Sequence, residues 1–211
     1  GKEGKGLAYQ WVKRGHSVII GSRMLEKALA AAEEINVKLP ESVLQKVRGM
    51  TNDEAARLCS IAVLTVPFSA HISMLESLKG KLEGRLLIDV TVPLVPPKVT
   101  RVQLPPAGSA ALETRSILGE NLQIGSAFQN ISYENLWNDR EPDCEVLVTG
   151  TSKETREKVL ELVRDAGLVG WDAGPLENSV VAEGLTSILI GINKQYGVAA
   201  SGIRITGVDR K

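Results

Sequence analysis

The chain has 211 residues with 25 Lys+Arg and 25 Asp+Glu, a formal net charge of zero. That balance argues against a non-specific binder of nucleic acid or anionic membrane, which needs a basic excess. Hydrophobic residues make up 43% and aromatics only 4%, so the core must be built from Val, Ile, Leu and Ala, as in parallel sheets covered by helices.

The glycine-rich opening over 1–6 precedes a helix predicted over 7–14 and stopped by Gly15. A β-branched strand follows over 17–21, then an Ala-rich helix over 25–35. A strand near 46–48 leads into a helix capped by Asn52 or Asp53. Residues 61–66 are a continuous apolar strand ended by Pro67; a helix over 70–78 joins it to a strand over 85–90. Five prolines between Pro93 and Pro106 demand an irregular surface loop, a place where function is often carried. Ser109 caps a helix over 110–118, and strands follow at 123–128 and 145–149. Ser152 caps a charged helix through Arg164, a strand lies near 168–171, and the last helix runs over 180–196. That helix is apolar on nearly all sides, which places it in a core or at a subunit interface and suggests a homodimer.

Apolar runs joined by helices imply βαβ units, hence an α/β fold with a Rossmann-like doubly wound parallel sheet and a small C-terminal α/β extension. The polar stretch from Asn138 to Asp143 is the expected boundary, dividing a nucleotide-binding domain, 1–140, from a small C-terminal domain, 141–211. A Rossmann sheet has its first strand directly before the glycine turn, and the sequence begins after it. The expectation is that roughly ten residues are absent, a strand and one glycine. The sheet would then lose an interior member, with poor stability and weak dinucleotide binding. No apolar run reaches the roughly 18 residues needed to cross a bilayer, and no leader is recognised. Cys59 and Cys144 lack metal-ligand spacing and read as buried thiols in a reducing, cytoplasmic compartment, with a disulfide the lesser alternative. With only His16 and His71, a His-rich metal site is excluded.

Gly1-x-x-Gly4-x-Gly6 matches the end of the dinucleotide fingerprint, where glycines let the backbone approach a pyrophosphate at a helix N-terminus. Alone it is a weak signal. The second strand is more informative, because an NAD enzyme places a carboxylate at its end for the ribose hydroxyls. Here Ser22, Arg23 and Lys27 stand there instead, a set suited to the 2′-phosphate of NADP. Val66 and Val92 follow strands that close on Thr-Val-Pro and would pack against the dinucleotide. His71 reads as a surface or capping residue, with no proton-transfer role.

Together with Gly1–Gly6, several motifs resemble the NADPH-dependent F420 reductases. They are Gly21-Ser22-Arg23, Leu64-Thr65-Val66-Pro67, Ile88-Asp89-Val90-Thr91-Val92-Pro93-Leu94, Gly108-Ser109-Ala110-Ala111, Ala127-Phe128-Gln129-Asn130, Asp172-Ala173-Gly174-Pro175-Leu176 and Gly202-Ile203-Arg204-Ile205-Thr206-Gly207. The resemblance runs end to end. It implies a hydride transfer between NADP(H) and the deazaflavin coenzyme F420, with the small C-terminal part closing a cleft over the deazaflavin. By position, it places Gly1, Lys2 and Glu3 at the pyrophosphate turn and Ser22, Arg23 and Lys27 at the 2′-phosphate. Val66, Val92 and Tyr133 would line the NADP path. Ser201 and Gly202 would approach the deazaflavin, with Arg204 near its charged tail. Small residues at Ala173-Gly174 and Ser201-Gly202 suit the close approach of two flat rings. No catalytic side chain is assigned, since the cofactors carry the reactive atoms.

Three alternatives stand beside this reading. A hydroxyacid dehydrogenase would need a lysine within the last helix, where Lys194 comes only at the end. An NADPH-dependent ferric or flavin reductase-like domain shares the Gly-Ser-Arg turn. A non-enzymatic NADP-binding regulator would not need the ending over 202–207.

Overall fold

The computed structural model describes residues 1–140 and 143–209. In chain order its elements are α1 (Lys2–Lys13), β1 (Ile19–Ser22), α2 (Leu25–Lys38), β2 (Arg48–Thr51), α3 (Asn52–Leu58), β3 (Ile61–Leu64), α4 (His71–Leu78) and β4 (Leu86–Asp89). They continue with α5 (Ala110–Leu118), β5 (Gln123–Ser126), α6 (Tyr133–Trp137), β6 (Glu145–Gly150), α7 (Lys153–Asp165), β7 (Val169–Pro175) and α8 (Ser179–Tyr196). The α/β reading holds, with strands and helices alternating as expected.

Strands β1 and β2 pair in parallel, and β3-β4-β5-β6-β7 form a second sheet. In that sheet β3, β4 and β5 are parallel, while β6 runs antiparallel to β5, with Ser126 opposite Thr149. The sheet is parallel-dominated, as expected, with this one antiparallel junction. Only the short α6 separates β5 from β6, so the chain does not cross back over the sheet and β6 enters from the far end. The part expected as a separate C-terminal domain supplies β6 and β7, which continue the same sheet. The expected division at 140/141 falls at residues 141–142, outside the described residues.

The facing edges of β1 and β3 are not joined by hydrogen bonds. A cavity of about 420 Å³ lies between them, lined by Val18, Ile20, Ile61 and Val63 and by Leu7 and Trp11 of α1.

Strand β4 is buried along its whole length. Its side chains alternate between two apolar layers. Leu86 and Ile88 pack with Leu7, Trp11, Val146 and Val159, and Leu87 packs with Leu64, Leu75 and Leu78 on the other face. Helix starts follow their caps: Ser109 Oγ accepts from the Leu112 N–H and Ser152 Oγ from the Thr155 N–H. The α3 cap is Thr51 rather than Asn52 or Asp53, because Thr51 and Glu54 form a reciprocal capping box. Helix α1 begins at Lys2 rather than residue 7, so Gly4 and Gly6 lie inside it. Among the described residues, no helix is long and apolar enough to cross a membrane.

Candidate functional site

The carboxyl ends of β1, β3, β4 and β5 open on one side of the sheets, the side on which ligands bind in open α/β folds. The start of α1 sits there. A Cβ on Gly4 would lie 2.7 Å from Thr65 Oγ1, and one on Gly1 would lie 3.5 Å from the Thr65 carbonyl. Glycine in a helix interior costs roughly 0.5–1 kcal/mol relative to alanine; this close approach to the β3 end is what requires it. No side chain caps Gly1, so the first amide N–H groups of α1 remain available at the positive end of the helix.

Lys2 Nζ lies 5.2 Å from the centre of the Tyr133 ring. Glu3 and Tyr133 border one small cavity together with Val90 and Phe128. The structure therefore brings Gly1, Lys2, Glu3 and Tyr133 together. Tyr133 reaches this place through α6, an element too short to be read from the sequence.

Ser22 ends β1, and its hydroxyl accepts the Met24 N–H at 3.2 Å. Arg23 and Lys27 flank the start of α2 and are exposed. Among the described residues neither has an ion-pair partner, whereas Lys5 of α1 is paired with Glu34 of α2 at 2.6 Å. Two unpaired cations at a helix N-terminus oppose its dipole, an arrangement that an anion would reverse. Val66 and Val92 are half-buried in the segments following β3 and β4.

Ser201 and Gly202 lie elsewhere on the same side. Ser201 donates its N–H to Asn193 Oδ1 at 2.8 Å and its hydroxyl to the Leu189 carbonyl at 3.1 Å. A Cβ on Gly202 would lie 2.2 Å from Cys144 Cβ, so this position must be glycine for the tail to pack. The tail is then held by Glu145: its N–H donates to the Ile203 carbonyl at 2.9 Å, and its carboxylate accepts from the Ile205 N–H and Trp171 Nε1, each at 2.7 Å. Arg204 is paired with Asp143 at 3.4 Å. Ala173 and Gly174 are not brought near this pair. They lie beside Gly150, at the opposite end of β6 from Glu145, and Gly174 serves the turn into Pro175 with a φ of 88°.

A link between the two regions runs through Gln129. Phe128 adopts a φ of 71°, a conformation uncommon outside glycine. The turn leaves Gln129 Nε2 donating to the Asp89 carbonyl at 3.0 Å and to Ser126 Oγ at 2.7 Å. The Gln129 carbonyl in turn accepts the Thr186 hydroxyl of α8 at 2.9 Å.

The sequence reading missed a set of buried polar residues behind this surface. His71, Asp89, Thr114 and Glu183 are all buried, and His71 is neither a surface nor a capping residue. One signal was available: a single carboxylate at Glu183 within an otherwise apolar helix needs a partner. Both cysteines are free thiols, Cys144 buried and Cys59 half-buried. Burial pushes the Cys144 thiol pKa up, helped by Asp143 and Glu145, which keeps it protonated and inert.

Residues 1–93 match the family described as NADP oxidoreductase, coenzyme F420-dependent. The F420-dependent NADP reductase of Methanothermobacter marburgensis is 36% identical over 214 residues, 99% of this chain and 95% of that protein. The one from Methanocaldococcus jannaschii is 34% identical over 215 residues, 99% of this chain and 96% of that protein. A crystal structure of a candidate F420-dependent NADP reductase from Arthrobacter sp. FB24 superposes with a TM-score of 0.81 at 22% identity, covering 98% of this chain and 96% of that one. The last likeness is one of fold. The chain belongs to the family of F420-dependent NADP oxidoreductases.

Proposed function

We propose that this chain transfers a hydride between NADP(H) and the deazaflavin coenzyme F420. The observation that supports it most is the pair of cations, Arg23 and Lys27, at the start of α2, which have no ion-pair partner among the described residues. When bound, the nicotinamide and deazaflavin supply the carbon atoms that give and receive the hydride. The residues of the chain then have three tasks: to bind, to orient and to exclude water.

In this reading the α1 amides around Gly1, Lys2 and Glu3 receive the pyrophosphate. Ser22, Arg23 and Lys27 hold the 2′-phosphate through charge-assisted hydrogen bonds. Val66, Val92 and Tyr133 line the path of the dinucleotide, with Lys2 already stacked on the Tyr133 ring. Ser201 and Gly202 form the deazaflavin side, held in place by α8, and Arg204 faces the charged tail. The segment beyond residue 143 closes the cleft. Two free thiols suit a reducing cytoplasm.

A homodimer fits the outer face of α8. Val181, Ile188 and Ile192 are exposed there at helical spacings that share one side. The proline-rich loop packs on the same helix, with Val102 against Gly184, and adds exposed Val95, Val102 and Leu104. An apolar patch of that kind is normally covered in solution.

The reaction is tested by mixing the protein with NADPH and oxidised F420 and following the NADPH absorbance band. Consumption of NADPH that depends on F420 is expected. Turnover with a flavin or a 3-hydroxy acid, and none with F420, overturns the assignment.

A further inference from the structure

Four polar side chains with no part in the reading above meet at the carboxyl end of β4. His71 Nδ1 lies 2.8 Å from Glu113 Oε2, and its Nε2 lies 2.8 Å from Asp89 Oδ2. An ionised carboxylate only accepts hydrogen bonds, so with both carboxylates ionised both ring nitrogens donate and the ring is an imidazolium. The Thr114 hydroxyl donates to the same Asp89 oxygen at 2.5 Å. Asp89 Oδ1 accepts the Thr91 N–H at 2.9 Å, which fixes the backbone one residue ahead of Val92.

His71 is also the first residue of α4, directly after the turn that carries Val66, and the Phe68 ring of that turn stacks on it at 5.9 Å. The cluster therefore ties the turn after β3 to the end of β4 and to α5. Helix α5 is tied in turn to α8. Glu183 accepts the Ala110 N–H at 2.7 Å and the Ala111 N–H at 3.1 Å, and Ser109 and Ser179 share a hydroxyl hydrogen bond of 2.7 Å. The Glu183 carboxyl thus caps the first amides of α5. Further along α8, Leu189 and Asn193 hold Ser201.

We propose that His71 is a positioning residue for hydride transfer: its imidazolium, clamped between Asp89 and Glu113, sets the spacing of the turns carrying Val66 and Val92 and, through α5 and Glu183, of the α8 segment carrying Ser201. This rests on the reaction proposed above. A hydride passes only between carbons held about 3–3.5 Å apart, and a misplacement of about 1 Å costs about 10²-fold in rate. A buried ion cluster resists such displacement, because opening it would strand charges in the interior. The groups facing His71 are Asp89 from β4, Glu113 and Thr114 from α5, and, more remotely, Glu183 from α8. The two carboxylates raise its proton affinity against the opposing effect of burial.

The test uses the full chain with His71→Gln and, as a milder change, Glu113→Gln, which keeps an acceptor but removes its charge. Turnover is measured with NADPH and F420, the isotope effect with NADPH deuterated at the transferred position, and NADPH affinity by direct titration. The expected result is a kcat lowered about 10- to 100-fold in His71→Gln, a smaller fall in Glu113→Gln, and an enlarged isotope effect in both. NADPH affinity should stay close to that of the unaltered chain. The ¹⁵N signals of His71 in the unaltered chain should show both nitrogens protonated near neutral pH. A folded variant with unaltered kcat and isotope effect, or a neutral ring at that pH, overturns the proposal. Should His71→Gln fail to fold, Glu113→Gln decides it by the same readouts. An unaltered chain that does not oxidise NADPH with F420 overturns the reaction and this role together. Turnover that both variants share with the unaltered chain overturns the role alone.

Discussion

Arg23 carries the most direct prediction for a single residue. It is exposed and without an ion-pair partner among the described residues, so its removal disturbs no packing. Replacing it with alanine should cost roughly 1.5–3 kcal/mol of NADPH affinity, the worth of a hydrogen bond to a charged group, and leave NADH affinity nearly unchanged. Titration of both nucleotides checks this, and equal losses would remove Arg23 from the 2′-phosphate. The buried acids and base make a second prediction, for pH. His71 binds its proton more tightly in the folded chain than at its ordinary value of 6.5. Its stabilisation is therefore complete below about 6.5 and is lost as pH rises through the higher folded value. Burial pushes the Glu183 carboxyl from 4.5 up to about 8, against the pull of its two amide donors. A folded state that retains this proton also loses stability as pH climbs from 4.5 towards 8. Thermal unfolding should accordingly move to lower temperature as pH rises from 6.5 to about 8. The Glu183→Gln and His71→Gln variants should each flatten that slope; a melting temperature that rises over this range contradicts both assignments.

Among the elements, the two sheet edges at β1 and β3 are the least satisfied. Val18, Ile20, Ile61 and Val63 border a cavity of about 420 Å³, and each edge strand presents unpaired backbone groups along it. An extended apolar segment there would pair with both strands and fill the cavity. Joining an apolar strand of about five residues that ends in glycine ahead of Gly1 should raise both the melting temperature and NADP affinity. If neither changes, the space between β1 and β3 is not a strand position. The same region explains why the α1 start was misplaced from sequence. Gly4 and Gly6 signal a loop by propensity, yet both lie in the helix, where a Cβ on Gly4 would meet Thr65 at 2.7 Å and one on Gly6 would crowd Leu136 at 3.2 Å.

For the whole molecule, the proposed homodimer would use the outer face of α8. Ile188→Glu should convert a dimer to a monomer in light scattering, with little change in melting temperature because half of that side chain is already exposed. A chain that is monomeric without the substitution removes α8 as a dimer face.

The sequence alone determined what is carried by neighbours along the chain. Capping serines at Ser109 and Ser152, the apolar runs of β3 and β4, and the Ser22-Arg23-Lys27 cluster all act within one or two turns of backbone, so their spacing reports them directly. The tertiary structure decided the rest. It turned β6 against β5, separated Ala173-Gly174 from Ser201-Gly202 at opposite ends of one strand, and brought Tyr133 to Lys2. It also joined His71 to Asp89, 18 positions away, and to Glu113, 42 away, and joined Glu183 to an amide 73 positions away. Helical and strand periodicities connect residues only a few positions apart. Contacts at these separations exist only once the sheet has set which helices lie over its carboxyl ends.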